Sequence, residues 1–188
     1  MQPSTRRCGD CQLCCKLLPV RELQKGANTR CQHQRVGKGC GVYNGPAMPP
    51  SCKLWSCRWL VLDRTEGLRR PDRAHYVIDI MPDFVTVRDE DKGEETTIPV
   101  IQVWVDPAYP QAWREDVAFL SYLATMGREE RMAALIRNGS EIAIFVAPPA
   151  INSAGEWFIC ESGVAGPPHR PADFFRAGYV MDMRMEER

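Results

Sequence analysis

The chain has 188 residues, 44% of them hydrophobic and 26% charged, and a formal net charge of zero. That size and composition suit a globular protein with a real core and exclude a largely disordered chain. No run is apolar for long enough to span a bilayer, and a zero net charge gives no general attraction to nucleic acid.

The charge is unevenly placed. Up to Arg58 the basic residues are Arg6, Arg7, Lys16, Arg21, Lys25, Arg30, Arg35, Lys38, Lys53 and Arg58, against only Asp10 and Glu22, a net of +8. The remainder carries fourteen basic residues against twenty-two acidic ones, a net of −8. Eight of the nine cysteines share the basic segment: Cys8, Cys11, Cys14, Cys15, Cys31, Cys40, Cys52 and Cys57. Many thiols in a short stretch mean either a disulfide framework or ligands for a thiophilic metal. The N-terminus, Met1-Gln-Pro-Ser-Thr-Arg-Arg, has no apolar stretch behind its basic pair and reads without a secretory leader. The expectation is therefore a cytoplasmic protein with reduced thiols. Cys-x-x-Cys spacing agrees, because it bends two sulfurs towards one ion. Metal-bound cysteines are thiolates, so the surrounding Lys and Arg offset their charge and favour deprotonation. The basic residues are scattered rather than clustered, which makes nucleic acid the weaker reading of the same charge.

In chain order, Cys11, Cys14, Cys15 and Leu18 fall at i, i+3, i+4 and i+7, predicting a short helix from Gly9 to Leu18. Asp10 is its expected cap, and Pro19 its stop. Gln24 to Gly41 is polar and glycine-rich and cannot offset its own ordering entropy with burial, so Cys31 and Cys40 are expected to tie it down through metal. Gly45 to Ser51 is turn-rich, and Cys52 to Leu62 reads as mostly helical. Strands are expected over His75–Ile80, Phe84–Arg88 and Thr97–Val105, with an acidic hairpin tip at 89–95 and Pro99 marking an edge. Ala112 to Met126 is predicted as an amphipathic helix with Val117, Leu120 and Leu123 inward and Gly127 as its C-cap. Glu129 to Arg137 reads as a second helix. Ile142–Val146 and Trp157–Cys160 read as closing strands, and the tail from Gly166 as poorly ordered. The expected fold is α+β: a Cys-rich metal-binding module (1–62) packed on a small, mainly antiparallel sheet with two helices (63–165), then the tail (166–188).

The string Cys8-x-x-Cys11-x-x-Cys14-Cys15, with Cys31, Gly39-Cys40-Gly-Val-Tyr43 and Cys52-x-x-x-x-Cys57-x-Trp59-Leu60, resembles the cysteine-cluster family named for its CxxCxxCC signature, the zinc- or iron-chelating proteins of the YkgJ type. The resemblance covers the first third of the chain. It implies a metal-chelating module with zinc and iron both as candidates. Family members often carry Arg-Pro before the Cys52 position, where this chain has Gly45-Pro-Ala-Met-Pro-Pro. One relative is a flagellin lysine methylase associated with an iron–sulfur cluster. That activity is not carried over, since no Gly-rich cofactor loop follows a strand here.

Spacing leaves the metal open. Cys11, Cys14, Cys31 and Cys40 make one tetrahedral zinc set, and Cys8, Cys15, Cys52 and Cys57 a second. Alternatively, Cys8, Cys11 and Cys14 echo the three-cysteine run that holds an iron–sulfur cluster. Three functions follow: a metal-chelating protein, an iron–sulfur oxidoreductase or methylase-like enzyme, and a zinc module contacting nucleic acid. No catalytic residue stands out. His33 is read as a loop histidine before a substitute ligand, and His75 as structural. Asp79, Asp83 and Asp106 are read as solvated or capping groups, and Arg69, Arg70 and Arg73 as solvated surface. Cys160 and the tryptophans Trp55, Trp59, Trp104, Trp113 and Trp157 are expected in the core.

Overall fold

A computed structural model describes residues 6–80, 82–89, 95–139, 142–151, 154–158, 161–165 and 179–182. The fold is α+β, and the chain forms two compact units: Met1–Met81 with Val103–Leu120, and Pro82–Gln102 with Ser121–Arg188.

In the first unit, α1 (Leu13–Leu17) is shorter than its periodicity predicts. Residues 8–11 form a turn instead, closed by the Cys11 amide on the Cys8 carbonyl at 3.0 Å. Gly9 sits there at φ 57, a left-handed conformation that ends helical propagation. The expected cap is not made: Gln12 occupies that position without a side-chain bond, and Asp10 pairs with Arg70 at 2.8 Å. The C-terminal stop is as predicted, with Leu18 extended before Pro19. The polar stretch that follows carries a two-residue ladder of β1 (Gln34–Arg35) and β2 (Gly39–Cys40).

The single helix expected over 52–62 is two: α2 (Pro50–Leu54) and α3 (Arg58–Val61). The break has a tertiary cause. Cys57 is extended and bridges the Asp79 backbone, while the Trp55 indole N–H donates to the Asp79 carboxylate at 2.7 Å. A short α4 (Pro71–Ala74) leads into β3 (Tyr76–Ile78), which pairs antiparallel with the Val103–Val105 end of β5 (Glu95–Val105). Cys11, Leu13, Leu17, Cys57 and Val77 form a buried cluster, with Cys14, Trp55, Trp59, Leu60 and Trp104 packed against it. Burial of apolar area thus holds part of the cysteine-rich segment on β3.

The helix predicted over 112–126 also divides, into α5 (Ala112–Glu115) and α6 (Val117–Glu130), at Asp116. Asp116 caps α6 by accepting the Phe119 amide at 3.2 Å. Starting the helix afresh there resets its face. Val117 is 78% exposed and Leu120 38% exposed, whereas Phe119, Tyr122, Leu123 and Met126 are buried.

The second unit holds the sheet order β10-β7-β6-β5-β4-β11, where β4 is Asp83–Asp89, β6 Ala133–Asn138, β7 Ile142–Val146, β10 Glu161–Ala165 and β11 Tyr179–Asp182. β4 and β5 pair antiparallel from Asp83↔Val100 to Arg88↔Glu95, the hairpin register read from the sequence, although its tip at 90–94 lies outside the described residues. Pro99 lies in β5 between β6 and β4, not on an edge. One missing ladder donor is tolerated in an eleven-residue strand. Residues 133–138 are strand rather than the expected helix, buried continuously from Ala133 to Arg137. A strand covered on both faces needs no alternation, so its pattern mimics a helix. Val100, Ala133, Leu135, Ala143 and Phe145 form the core of this unit.

Gly127 lies inside α6, where an added Cβ would collide with the Pro149 ring. It serves a close approach rather than a C-cap. β8 (Ala150–Ile151) pairs with β9 (Trp157–Phe158), and Cys160 lies outside the described residues. So does most of the tail, although β11 within it pairs with β4. Among the described residues no helix is long and apolar enough to cross a membrane.

Candidate metal centre

All eight N-terminal cysteines lie in the first unit as free thiols. Backbone contacts, more than side-chain packing, bring the remote ones back to α1. The Cys31 amide donates to the Cys15 carbonyl at 3.0 Å, and the Asn28 amide to the Leu17 carbonyl at 3.0 Å. The Gln34 side chain donates to the Gln12 side chain at 2.7 Å, and Gln12 in turn to the Arg35 carbonyl. Gly39, at φ +90, lies so near Gly9 that an added Cβ would stand 2.9 Å from its carbonyl oxygen. Two glycines therefore let Cys40 approach the Cys8 turn. Cys52 arrives on α2, whose Ser51 donates its amide and hydroxyl to Glu22, each at 2.8 Å. Cys57 arrives through its bridge to Asp79.

The thiols share one another's fields. Burial raises the Cys8 pKa, with Cys15 and Cys40 adding to it and Arg70 opposing. Burial pushes Cys11 and Cys57 each up to about 11. Cys52 is raised by burial first, then by Cys15, Cys31 and Cys40. Cys14 and Cys15 are hydrogen-bonded to each other. That bond, then burial, lifts Cys14 well above its ordinary value, and the same bond, helped by Lys25 against burial, lowers Cys15 to about 7. The pair thus releases one proton early and one late.

Lys25 is the cation among the thiols. Its ammonium donates to the Leu18 carbonyl and, at 3.4 Å, to the Lys16 carbonyl, so it caps the end of α1. Burial lowers its pKa, while Cys31, Cys15, Cys14 and Cys52 hold it up. Arg70 plays a similar part beside Cys8, gripped by Asp72 at 2.6 and 2.7 Å. The sequence reading gives Lys25 this role only as one of the scattered basic residues that offset thiolate charge, and it misses Arg70. Lys25 was one basic residue of ten, and Arg70 read as solvated surface, although its neighbour Arg69 also pairs, with buried Asp116 at 3.1 Å.

The remaining candidates have structural duties. Asp79 is buried and accepts Trp55 at 2.7 Å and Trp104 at 3.4 Å, while its carbonyl accepts Arg58 at 2.7 Å. It is therefore neither solvated nor a cap. Asp106 is buried against Lys16 at 2.7 Å and accepts the Ala108 amide at 3.1 Å. Asp83 accepts its neighbour's amide at 2.9 Å. His75 stacks on Tyr109 with ring centroids 3.7 Å apart, and the His33 ring meets Gln32 at 3.4 Å. Trp113 is buried, Trp55, Trp59 and Trp104 are half-buried, and the Trp157 side chain is not described.

Among the described residues no three His, Cys, Asp or Glu side chains stand in ligating geometry. The thiols are free and lie in one unit, but no three of them close on a common point. The donor set fits a thiophilic ion nonetheless. Soft sulfur donors, with Lys25 and Arg70 beside Cys15 and Cys8, are the groups that a zinc or iron centre would bind as thiolates. Comparisons of the chain with family models, curated proteins and solved structures return no match.

Proposed function

We propose that this chain is a metal-chelating protein of the CxxCxxCC type, binding zinc or an iron–sulfur centre through Cys8, Cys11, Cys14, Cys15, Cys31, Cys40, Cys52 and Cys57. The supporting observation is that segments as distant as Cys8 and Cys57 bring eight free thiols into one unit, each within the field of others. A hydrophobic core would gain little from so many coupled, partly exposed sulfurs, whereas a metal site needs them. The motif resemblance points the same way. When bound, the metal would supply sulfur–metal bonds that tie down residues 24–41; apparent binding energies of structural zinc run to about 10–16 kcal/mol. Lys25 and Arg70 offset thiolate charge, and the apolar floor excludes water from Cys11 and Cys57. Thiolate ligation also needs a reducing compartment, consistent with a cytoplasmic protein. Anaerobic purification followed by metal and sulfide analysis tests the reading. Stoichiometric zinc, or iron with sulfide and broad absorption near ~400 nm, is expected; a protein that takes up neither on reconstitution sinks it.

A further inference from the structure

We propose that Cys8 and Cys11 are an oxidisable dithiol: a low-molecular-weight disulfide of the glutathione class joins their sulfurs across the turn that the two residues bound. The bond itself is independent of the metal-chelating reading above. Its consequence, that oxidation withholds two ligands from the metal, rests on that reading.

The turn brings the pair together. The Cys11 amide donates to the Cys8 carbonyl at 3.0 Å, closing a β-turn over residues 8–11. Such turns hold their end Cα atoms within about 7 Å, and a disulfide spans about 4.4–6.8 Å. Gly9, at φ 57, is the first of the two central residues and takes the left-handed conformation that a type II′ turn needs there. Cys8 leans inward, its sulfur 3.8 Å from the Cys11 carbonyl oxygen. The turn is also pinned from outside. Asp10 pairs with Arg70 at 2.8 Å, Asp72 grips the same guanidinium, and Gly39 packs against the Gly9 carbonyl. Little chain entropy is left to lose on closure, which raises the effective concentration of one thiol at the other.

The two thiols differ in access. Cys11 is 7% exposed, in the cluster with Cys57 and Val77, whereas Cys8 is half-buried between exposed Arg7 and Gly9. Cys8 therefore meets the reagent first. Its thiolate attacks one sulfur of the small disulfide, forming a mixed disulfide and releasing one small thiolate. Cys11 then gives its proton to solvent, its sulfur attacks the Cys8 sulfur, and a second small thiolate leaves. Two protein thiols are oxidised, and one small disulfide is reduced to two thiols that take up the two protons. Burial raises both protein thiols in pKa, so the reduced pair gains no thiolate stabilisation that would oppose the bond. Cys15 and Cys40 also act on Cys8 through space and are the rival partners.

The test equilibrates the metal-stripped full chain anaerobically with reduced and oxidised glutathione, then quenches it in acid and alkylates the remaining thiols. Trypsin and a protease that cuts before Asp10 separate Cys8 from Cys11, so a bond between them appears by tandem mass spectrometry as two joined peptides. The first link formed is expected to join Cys8 to Cys11 while Cys14 and Cys15 are alkylated, and Cys8→Ser should leave Cys11 alkylated throughout. A first link from Cys8 to Cys15 or Cys40, one from Cys11 to Cys57, or a glutathione adduct that stays on Cys8 overturns the proposal. Zn(II) counting before oxidation, after it and after phosphine reduction reads the consequence. The oxidised chain should hold less zinc and regain it on reduction; equal zinc in both states overturns that consequence. A reduced chain that takes up no zinc, yet forms the link, removes the metal-chelating reading and leaves the dithiol standing.

Discussion

Replacing Asp79 by alanine tests whether a buried carboxylate helps position Cys57. Asp79 is 8% exposed and accepts the Trp55 indole at 2.7 Å and the Trp104 indole at 3.4 Å. A hydrogen bond to a carboxylate at the shorter distance contributes about 1.5–3 kcal/mol. The longer one contributes less than about 1 kcal/mol. Removing the carboxylate leaves an indole N–H unpaired, while relief of a buried charge offsets part of the loss. The Arg58 bond to the Asp79 carbonyl survives the change. A net loss of about 2–3 kcal/mol is expected, read as a lower urea midpoint by tryptophan fluorescence. Asp79→Asn keeps one acceptor and should recover at least half. Because Cys57 bridges the Asp79 backbone, the alanine variant should also surrender bound metal to a chelator faster. A stability change under about 0.5 kcal/mol, with unaltered metal release, would refute the positioning argument.

Three further outcomes are expected. Against the opposing effect of burial, the Phe119 amide, Tyr76 hydroxyl and Arg69 guanidinium hold Asp116 below the usual carboxylate range. Its stabilisation is therefore fully present above that range and lost as pH falls through the lowered folded value; urea midpoints between about pH 5 and pH 2 should fall less in Asp116→Asn than in the parent. Stripping metal should open the polar stretch to trypsin at Lys25, Arg30, Arg35 and Lys38, seen by mass spectrometry of the fragments; unchanged resistance would show that metal does not order this stretch. Gly127→Ala should destabilise by about 1 kcal/mol in thermal or urea unfolding, because collision with the Pro149 ring outweighs the helix propensity gained; a stabilised variant would contradict the close approach.

The α+β class follows from the amino-acid sequence alone. So do the strands at 84–88, 97–105 and 142–146, whose β-branched patterns match the pleat of a sheet locally. Leu18 before Pro19 stops its helix for the same local reason. Elsewhere the deciding partner was remote. Residues 133–137 are buried strand because the sheet places them between β5 and β7 with side chains of both faces buried, which no window of their own sequence reveals. Helix breaks at Trp55–Cys57 and Asp116 come from the Asp79 carboxylate just after β3 and from an N-cap aspartate whose other oxygen accepts the Tyr76 hydroxyl at 2.9 Å. Lys25 and Arg70 are ordinary surface cations in sequence, and only the folded backbone puts them beside Cys15 and Cys8. The same holds for which distant cysteine segments meet. Spacing counts residues along the chain, whereas the Cys31–Cys15 amide bond and the approach of Gly39 to Gly9 set distances through space.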